Sequence, residues 1–188
     1  MESTDLLERV VDETTRIVDN VSDDQLAAAS PCEGWTVRDV INHITGGATM
    51  FAVSAAQGTV PDDVLAKIAG DNVGSDFKSA WGAAARQAVA AFRQPGVLDK
   101  VVALPFGQMP ADIAITIAVF DLAAHACDIA NATGQRIGDE QTFEAALEIG
   151  RQIVTDDLRQ PGYFDAAQPA PEGASLQEEI LAFAGRRI

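Results

Sequence analysis

Apolar residues recur every three to four positions along most of the chain, which is the spacing of one buried helix face. The first such run extends from about Thr4 to Val21 and predicts an amphipathic helix. Ser22 follows directly, with Gln25 three residues later, and this capping-box pattern predicts a short helical turn running to Ala29. The chain therefore opens with two helical segments separated by a cap.

The same signals predict five more helical segments. They begin at Thr36, Ser75, Pro110, Asp139 and Ser175, and end near Gly58, Arg93, Gly134, Leu158 and Ala184, respectively. An exposed acidic connection is expected after Pro61, and a tail rich in proline and glycine over residues 160–173. Lys100–Leu104 is short and β-branched, which favours a strand or one arm of a hairpin. These elements predict an all-α fold: one domain over residues 1–188, built as a four-helix bundle with short extra helices and room for a small β-hairpin.

Composition agrees with a globular domain, because 47% of the 188 residues are hydrophobic and 22% are charged. The net charge of −15 argues against nucleic-acid binding and against binding to anionic lipid. Two cysteines are too few for a disulfide scaffold, and the N-terminus is acidic where a signal peptide would be basic. The longest apolar run, around Ile113–Val119, is shorter than the ~20 residues of a membrane span. We expect a soluble, cytoplasmic protein.

The chain has two histidines, His43 and His125, each predicted to lie in the middle of a helix. Asp121 precedes His125 by four residues, so both side chains leave the same helix face. A carboxylate in so apolar a stretch needs a partner, and a divalent ion held by two imidazoles and this carboxylate would provide one. A histidine hydrogen-bonded within the core is the competing interpretation, and spacing alone leaves both open.

The sequence also suggests roles for several other residues. Cys32 and Cys127 are either thiol ligands or small buried residues. Asp128, three residues after His125, either orients an imidazole or is a solvated charge, and Asp39 before His43 leaves the same choice. Trp35 is expected to be a packing anchor. Arg186 and Arg187 are either a frayed terminal pair or a contact for an anionic substrate.

Two blocks of sequence resemble a known family. Residues 31–44, P-C-E-G-W-T-V-R-D-V-I-N-H-I, resemble the P-C-x-x-W-x-V-R-x-x-x-x-H-L signature of the mycothiol-dependent maleylpyruvate isomerase N-terminal domain, in the DinB-like superfamily. Residues 121–134 resemble its second block, D/E-x-x-x-H-x-W-D-L-A-x-A-x-G, and residues 175–187 are similar to the close of a single-domain actinobacterial metal-binding subfamily.

The resemblance implies an up-down-down-up four-helix bundle that often pairs as a homodimer. It places the family's metal ligands on His43, Asp121 and His125, with Asp121 where the isomerase has Glu. Cys127 stands where the family has Trp, and the isomerase carries a further C-terminal domain that contributes to its active site. The resemblance therefore implies a metal site more strongly than it implies maleylpyruvate isomerisation.

Three functions remain open at this point. The first is a metal-dependent thiol transferase or isomerase-like enzyme, in which Zn²⁺ or Ni²⁺ binds a small thiol, of the mycothiol type by resemblance, and presents it as thiolate to an electrophilic substrate. The second is a hydrolase in which the ion activates water. The third is a non-catalytic, stress-related metal-binding protein.

Overall fold

A computed structural model of the chain describes residues 1–159 and 164–188. Over those two ranges the chain forms seven α-helices and one two-stranded antiparallel sheet. The helices are α1 (Ser3–Asp19), α2 (Val37–Gln57), α3 (Asp62–Ile68), α4 (Phe77–Phe92), α5 (Ala111–Ala132), α6 (Glu140–Ile153) and α7 (Leu176–Phe183), and the strands are β1 (Val101–Leu104) and β2 (Gly107–Pro110). The predicted all-α class with a small hairpin is confirmed.

The helices begin where the sequence places caps. Gln25 accepts a hydrogen bond from the Ser22 backbone at 3.1 Å, at the start of a 3₁₀ turn over Asp23–Gln25. Asp76 caps α4 and Asp139 caps α6, each accepting from the backbone three residues later. Side-chain capping therefore sets most of the predicted boundaries.

Contacts divide the chain into two compact units. The first comprises Met1–Val11 and Ile41–Val119, and the second comprises Asp12–Val40 and Phe120–Ile188. The boundaries fall inside α1, α2 and α5, so each of these helices continues through both units. The assignment of residues 1–188 to one domain stays a prediction.

In the first unit, β1 pairs with β2 in register from Val101 with Pro110 to Leu104 with Gly107. The backbone N–H of Ala103 also donates to Gly58 at 2.8 Å, which ties the hairpin to the end of α2. The exposed acidic connection that we expected after Pro61 is wrong in part, because residues 62–68 form α3. This helix has only seven residues and begins after Pro61, which provides no side-chain cap, so its sequence signals are weak.

In the second unit, α6 is shorter than predicted. It ends at Ile153, because Val154 leaves helical geometry, and a separate 3₁₀ turn covers Asp156–Leu158. Of the predicted tail, residues 160–163 lie outside the described residues, and 164–173 form no regular element. The tail is tied to α7, since the Gln168 backbone N–H donates to Ala182 at 2.8 Å.

Helix α5 carries the most apolar sequence. By length and composition it could cross a membrane, which the short run Ile113–Val119 did not suggest, but 78% of its most apolar 18-residue window is buried inside the protein. Such burial is typical of the core helix of a soluble protein. Asp121, His125 and Asp128 all lie on this helix.

Candidate metal centre

The first predicted ligand, His43, lies in the second turn of α2. That helix starts with a reciprocal cap: the Thr36 backbone N–H donates to Asp39 at 2.9 Å, and the Asp39 N–H donates to the Thr36 hydroxyl at 3.3 Å. These bonds from the Thr36 side chain and backbone lower the pKa of Asp39. Asp39 is exposed and caps the helix, which answers the question left open by its spacing from His43.

The three predicted ligands come together in the structure. One ligand-type atom from each of His43, Asp121 and His125 lies within 4.8 Å of the other two. The side chain of His125 is 8% exposed and that of Asp121 is 31% exposed, so the cluster is embedded on one side and reachable by solvent on the other. Two imidazoles and a carboxylate are a donor set that suits Zn²⁺ and Ni²⁺.

The orientation of His125 fits metal binding. Its Nδ1 lies 2.9 Å from Oδ2 of Asp128, and its Nε2 lies 3.6 Å from Oδ1 of Asp121. Two ligand atoms around a tetrahedral zinc ion are roughly 3.3 Å apart, given ligand bonds of about 2.0–2.1 Å. The Nε2–Oδ1 separation is therefore close to that of two ligands sharing an ion, and it exceeds ordinary hydrogen-bond length.

Asp128 is a buried carboxylate that holds the His125 ring. Its side chain is fully inaccessible to solvent. An ionised carboxylate can only accept a hydrogen bond, so this contact favours the tautomer with its N–H at Nδ1 and its lone pair at Nε2. This carboxylate–histidine pair is the usual second layer of a metal site. Of the two roles that the sequence left open for Asp128, the structure favours the orienting one.

A cation compensates the buried charge of Asp128. Arg186 donates from Nε to Oδ1 at 3.1 Å and from Nη2 to Oδ2 at 3.0 Å, a two-pronged contact across 58 residues of sequence. Burial works to lower the pKa of Arg186, but the hydrogen bonds and charge of Asp128 outweigh it and raise the pKa. The expectation that Arg186 belongs to a frayed terminus is wrong, because its side chain is 10% exposed and paired.

Trp35 covers one face of the His125 ring. The two rings are stacked, with centroids 5.8 Å apart and an interplanar angle of 9°. A tight turn presents the indole: the Trp35 N–H donates to Cys32 at 3.0 Å, and Gly34 takes the positive φ of 80° that such a turn requires at its third residue. The predicted packing anchor thus packs against a candidate ligand.

The two cysteines do not join the cluster. Cys127 is fully buried in α5, and desolvation raises its thiol pKa well above the ordinary value. Cys32 is half-buried, and desolvation also raises its pKa, partly offset by the charge of Arg186. A raised pKa disfavours the thiolate that binds metal, so both behave as small packing residues.

Comparison with known proteins identifies the family. The family model of the mycothiol maleylpyruvate isomerase N-terminal domain matches residues 7–130. The chain belongs to this family. The match includes all three clustered residues and Asp128, and it ends before Arg186.

Two curated relatives match most of the chain. Two uncharacterized proteins, from two strains of Mycobacterium tuberculosis, are each 31% identical over 183 residues, covering 96% of this chain and 96% of the relative. Among solved structures, a histidine-to-alanine mutant of mycothiol-dependent maleylpyruvate isomerase aligns with a TM-score of 0.66 at 17% identity, over 86% of this chain and 72% of that one. The unmutated enzyme gives 0.63 at 16%, over 84% and 70%. These likenesses confirm the predominantly helical fold.

Sequence reasoning found the clustered residues and missed the pairing of Arg186 with Asp128 and the stacking of Trp35 on His125. One signal for the first was present: Gly185 follows a short capped helix, a position that often reverses the chain, and Arg186 comes directly after it.

Proposed function

We propose that the chain binds one divalent metal ion, Zn²⁺ or Ni²⁺, through His43, Asp121 and His125, and uses it to activate a small thiol for transfer to an electrophilic substrate. The observation that supports this most directly is the cluster itself, in which the only two histidines of the chain meet a carboxylate. The buried Asp128 behind His125 adds support, because it orients the ring as metal ligands are oriented.

Charge and ligand number favour a reactive site over a structural one. Structural zinc sites are closed by four protein ligands, whereas the cluster offers three, which leaves room for an exogenous ligand in a tetrahedral site. Two neutral imidazoles and one carboxylate supply a single negative charge, whereas a divalent ion carries two positive charges. When bound, the ion would lower the pKa of a coordinated thiol and so hold it as thiolate at neutral pH.

The chain's own residues would bind and orient the reactants. The partial exposure of Asp121 gives a path from solvent to the cluster, while His125 is mostly buried and stacked on Trp35. The thiol is proposed to be of the mycothiol type, because the family and the aligned solved structures carry that name. The electrophile and the reaction are proposed only as a class, S-transfer or thiol-assisted isomerisation.

A metal-dependent hydrolase is the second candidate. The same partial exposure of Asp121 would admit water to an ion at this site, and bound water is activated as a bound thiol is. A non-catalytic metal-binding role would be favoured instead if the ion proved to be fully ligated by protein. Homodimer formation and a cytoplasmic location stay predictions.

The first experiment measures metal content. Protein purified without a histidine tag should contain close to one divalent ion per chain, and Asp121→Asn and His125→Ala should contain well below one with unchanged helicity. Asp112→Asn, an exposed carboxylate in the first turn of the same helix, is the matched control and should retain the ion. Full retention by His125→Ala would overturn the ligand assignment.

A second experiment separates the candidate reactions. The Co²⁺-loaded protein, titrated with a small thiol, should develop a sulfur-to-metal charge-transfer band that His43→Ala protein lacks. If the thiol leaves the spectrum unchanged while the bound water exchanges, the hydrolase becomes the better proposal. If neither ligand exchanges, the ion is structural.

A further inference from the structure

The last helix ends in a chain reversal that places Arg186. The Arg186 N–H donates to Leu181 at 2.9 Å and the Gly185 N–H donates to Ala182 at 3.0 Å, which together form a Schellman motif. Gly185 takes a positive φ of 89°, as this motif requires of its left-handed residue. The motif turns the chain directly after α7, so the guanidinium of Arg186 meets α5.

The same guanidinium is held on both sides. Its Nη1 donates to the carbonyl of Ala184 at 3.1 Å, while Nε and Nη2 donate to the two carboxylate oxygens of Asp128. A planar fork fixes both the position and the rotation of a carboxylate, which a point charge such as an ammonium does not. Asp128 therefore has one orientation, and Oδ2 in that orientation accepts the His125 Nδ1–H.

We infer that Arg186 is a positioning residue for the metal centre: through Asp128 it fixes the ring plane of His125 and the tautomer that directs the Nε2 lone pair toward Asp121. Three observations support this step. Asp128 is fully buried, its oxygens are shared between Arg186 and His125, and the Arg186 side chain itself is only 10% exposed. A fully buried carboxylate that loses its cation also loses the contacts that fix its orientation, and Oδ2 would then no longer be held against Nδ1.

Asp128 and Arg186 come from different parts of the sequence. The family match ends at residue 130, so Asp128 lies inside the matched domain and its partner lies outside it. The turn that follows α7 thus supports a site whose candidate ligands all lie on α2 and α5. This rests on the proposed function in one respect, the identity of the cluster as a metal site; the orientation of His125 can be measured without metal.

The experiment uses the full chain with ¹⁵N-labelled histidine, which gives signals from two imidazoles alone. His43→Ala assigns the His125 signals. In the metal-free wild type, His125 should be the Nδ1–H tautomer, with a slowly exchanging proton. In Arg186→Ala the two tautomers of His125 should both be populated, and the Nδ1 proton should be lost to exchange. The Zn²⁺ affinity, measured by chelator competition, should fall by about 10-fold, which is the lower end of what residues hydrogen-bonded to metal ligands contribute. Arg186→Lys should recover part of both, because it keeps the charge without the fork.

Two matched controls separate positioning from general packing. Arg187→Ala changes the exposed neighbour and should behave as wild type. Arg159→Ala removes the bonds from the Arg159 guanidinium to the carbonyls of Asp165 and Phe183, which anchor the tail without contacting Asp128. It should lower stability yet leave the His125 tautomer unchanged.

The outcomes are distinct. If folded Arg186→Ala keeps the Nδ1–H signal and the wild-type Zn²⁺ affinity, the inference is wrong. If Arg159→Ala changes the tautomer as much as Arg186→Ala does, tail packing in general is responsible and the positioning role also fails. If Arg186→Ala does not fold, Arg186→Lys decides by the same two readouts. If the wild type binds no Zn²⁺ but the tautomer responds to Arg186 as expected, the proposed metal function fails, and what stands is that Arg186 orients His125.

Discussion

Trp35 lies nearly parallel to the His125 imidazole, with ring centroids 5.8 Å apart. The pair places a fluorophore directly against a candidate metal ligand, in a turn that Gly34 closes. The Trp35 indole and the His125 imidazole are therefore neighbours in the folded protein, and their stacking limits the positions that the imidazole can occupy.

Binding of Co²⁺ or Ni²⁺ should quench the fluorescence of Trp35, because an open-shell ion at Nε2 of His125 would lie close to the indole. The measurement is a metal titration of the metal-free protein, with Zn²⁺ as a non-quenching competitor that restores the emission. The chain has two tryptophans, and Trp35→Phe should abolish the response while leaving the emission of Trp81. Equal quenching in wild type and in His43→Ala would argue against binding at this cluster.

Gly185→Ala should weaken metal binding although it leaves Arg186 and Asp128 in the sequence. A Cβ on Gly185 would require a left-handed alanine and would lie 2.7 Å from the Cβ of Asp165 and 3.0 Å from its backbone carbonyl carbon. The turn would shift and carry the guanidinium with it. We expect a loss of Zn²⁺ affinity comparable to that of Arg186→Ala, measured by the same chelator competition. Gly173→Ala has a similar positive φ but no neighbour within 4 Å, and should keep wild-type affinity.

Most of the fold could be predicted because helix caps and runs of β-branched residues are local features of the sequence. Capping boxes at Ser22 and Ser175 fixed helix starts that the structure reproduces, and the β-branched run after Lys100 is β1. Helix α3 was missed because seven residues are too few to establish a hydrophobic period and Pro61 offers no side-chain cap at its start. The boundary of α6 was placed too late because residues 156–158 are helical in local geometry, although Val154 has already broken the helix.

The candidate site was predictable only in part. The spacing of Asp121 and His125 shows that they share a helix face, but only the family resemblance connected them to His43. The contact between Arg186 and Asp128 spans 58 residues and depends on a chain reversal, so no periodicity could indicate it. Arg186 by itself was indistinguishable from a solvated terminal charge.

Glu13 should give the protein an acid-sensitive contribution to stability. Its side chain, 9% exposed, accepts two bonds from Arg16 and one from the Gly138 backbone. The bonds from Arg16 lower its pKa below the ordinary 4.5, although burial opposes the shift. A lowered folded-state pKa means that the stabilisation is present above pH 4.5 and is lost as the pH falls through the folded-state value.

Glu13→Gln should therefore lower the free energy of unfolding by about 1–2 kcal/mol at neutral pH. The gap to wild type should close as the pH falls below 4.5, which urea unfolding across a pH series would measure. Glu148→Gln is the control, because its pair with Arg151 is exposed and 3.6 Å long, and it should change stability by less than about 0.5 kcal/mol. A gap that stays constant down to pH 2 would contradict the assignment.

The two thiols should differ in reactivity toward iodoacetamide. Cys127 is inaccessible and its pKa is raised well above the ordinary value, so it should react only when the chain unfolds. Cys32 is half-buried with a raised pKa, so it should react more slowly than free cysteine at pH 7.5 and faster as the pH rises. Mass spectrometry of timed samples measures both, and modification of Cys127 in the folded protein would contradict the structure.

Two glycine-to-alanine changes should have opposite effects on stability. A Cβ on Gly150 would clash with the ring of Phe120, and that ring packs edge-on against Phe183 with centroids 5.6 Å apart. Because the core at this position is closely packed, the clash should lower the free energy of unfolding by about 1–3 kcal/mol. This loss exceeds the gain of up to about 1 kcal/mol that alanine brings through its higher helix propensity. Gly150→Ala should therefore lower the midpoint of urea unfolding.

Gly47 also lies inside a helix, but a Cβ there would meet nothing within 4 Å. The propensity gain then acts alone, and Gly47→Ala should raise the stability by about 0.5–1 kcal/mol. Both variants are measured by urea unfolding, with the dependence of the free energy of unfolding on urea concentration held equal to that of the wild type. If both variants change stability in the same direction, either propensity or packing dominates at both sites. Destabilisation by Gly47→Ala would mean that the space above this turn of α2 is filled in solution.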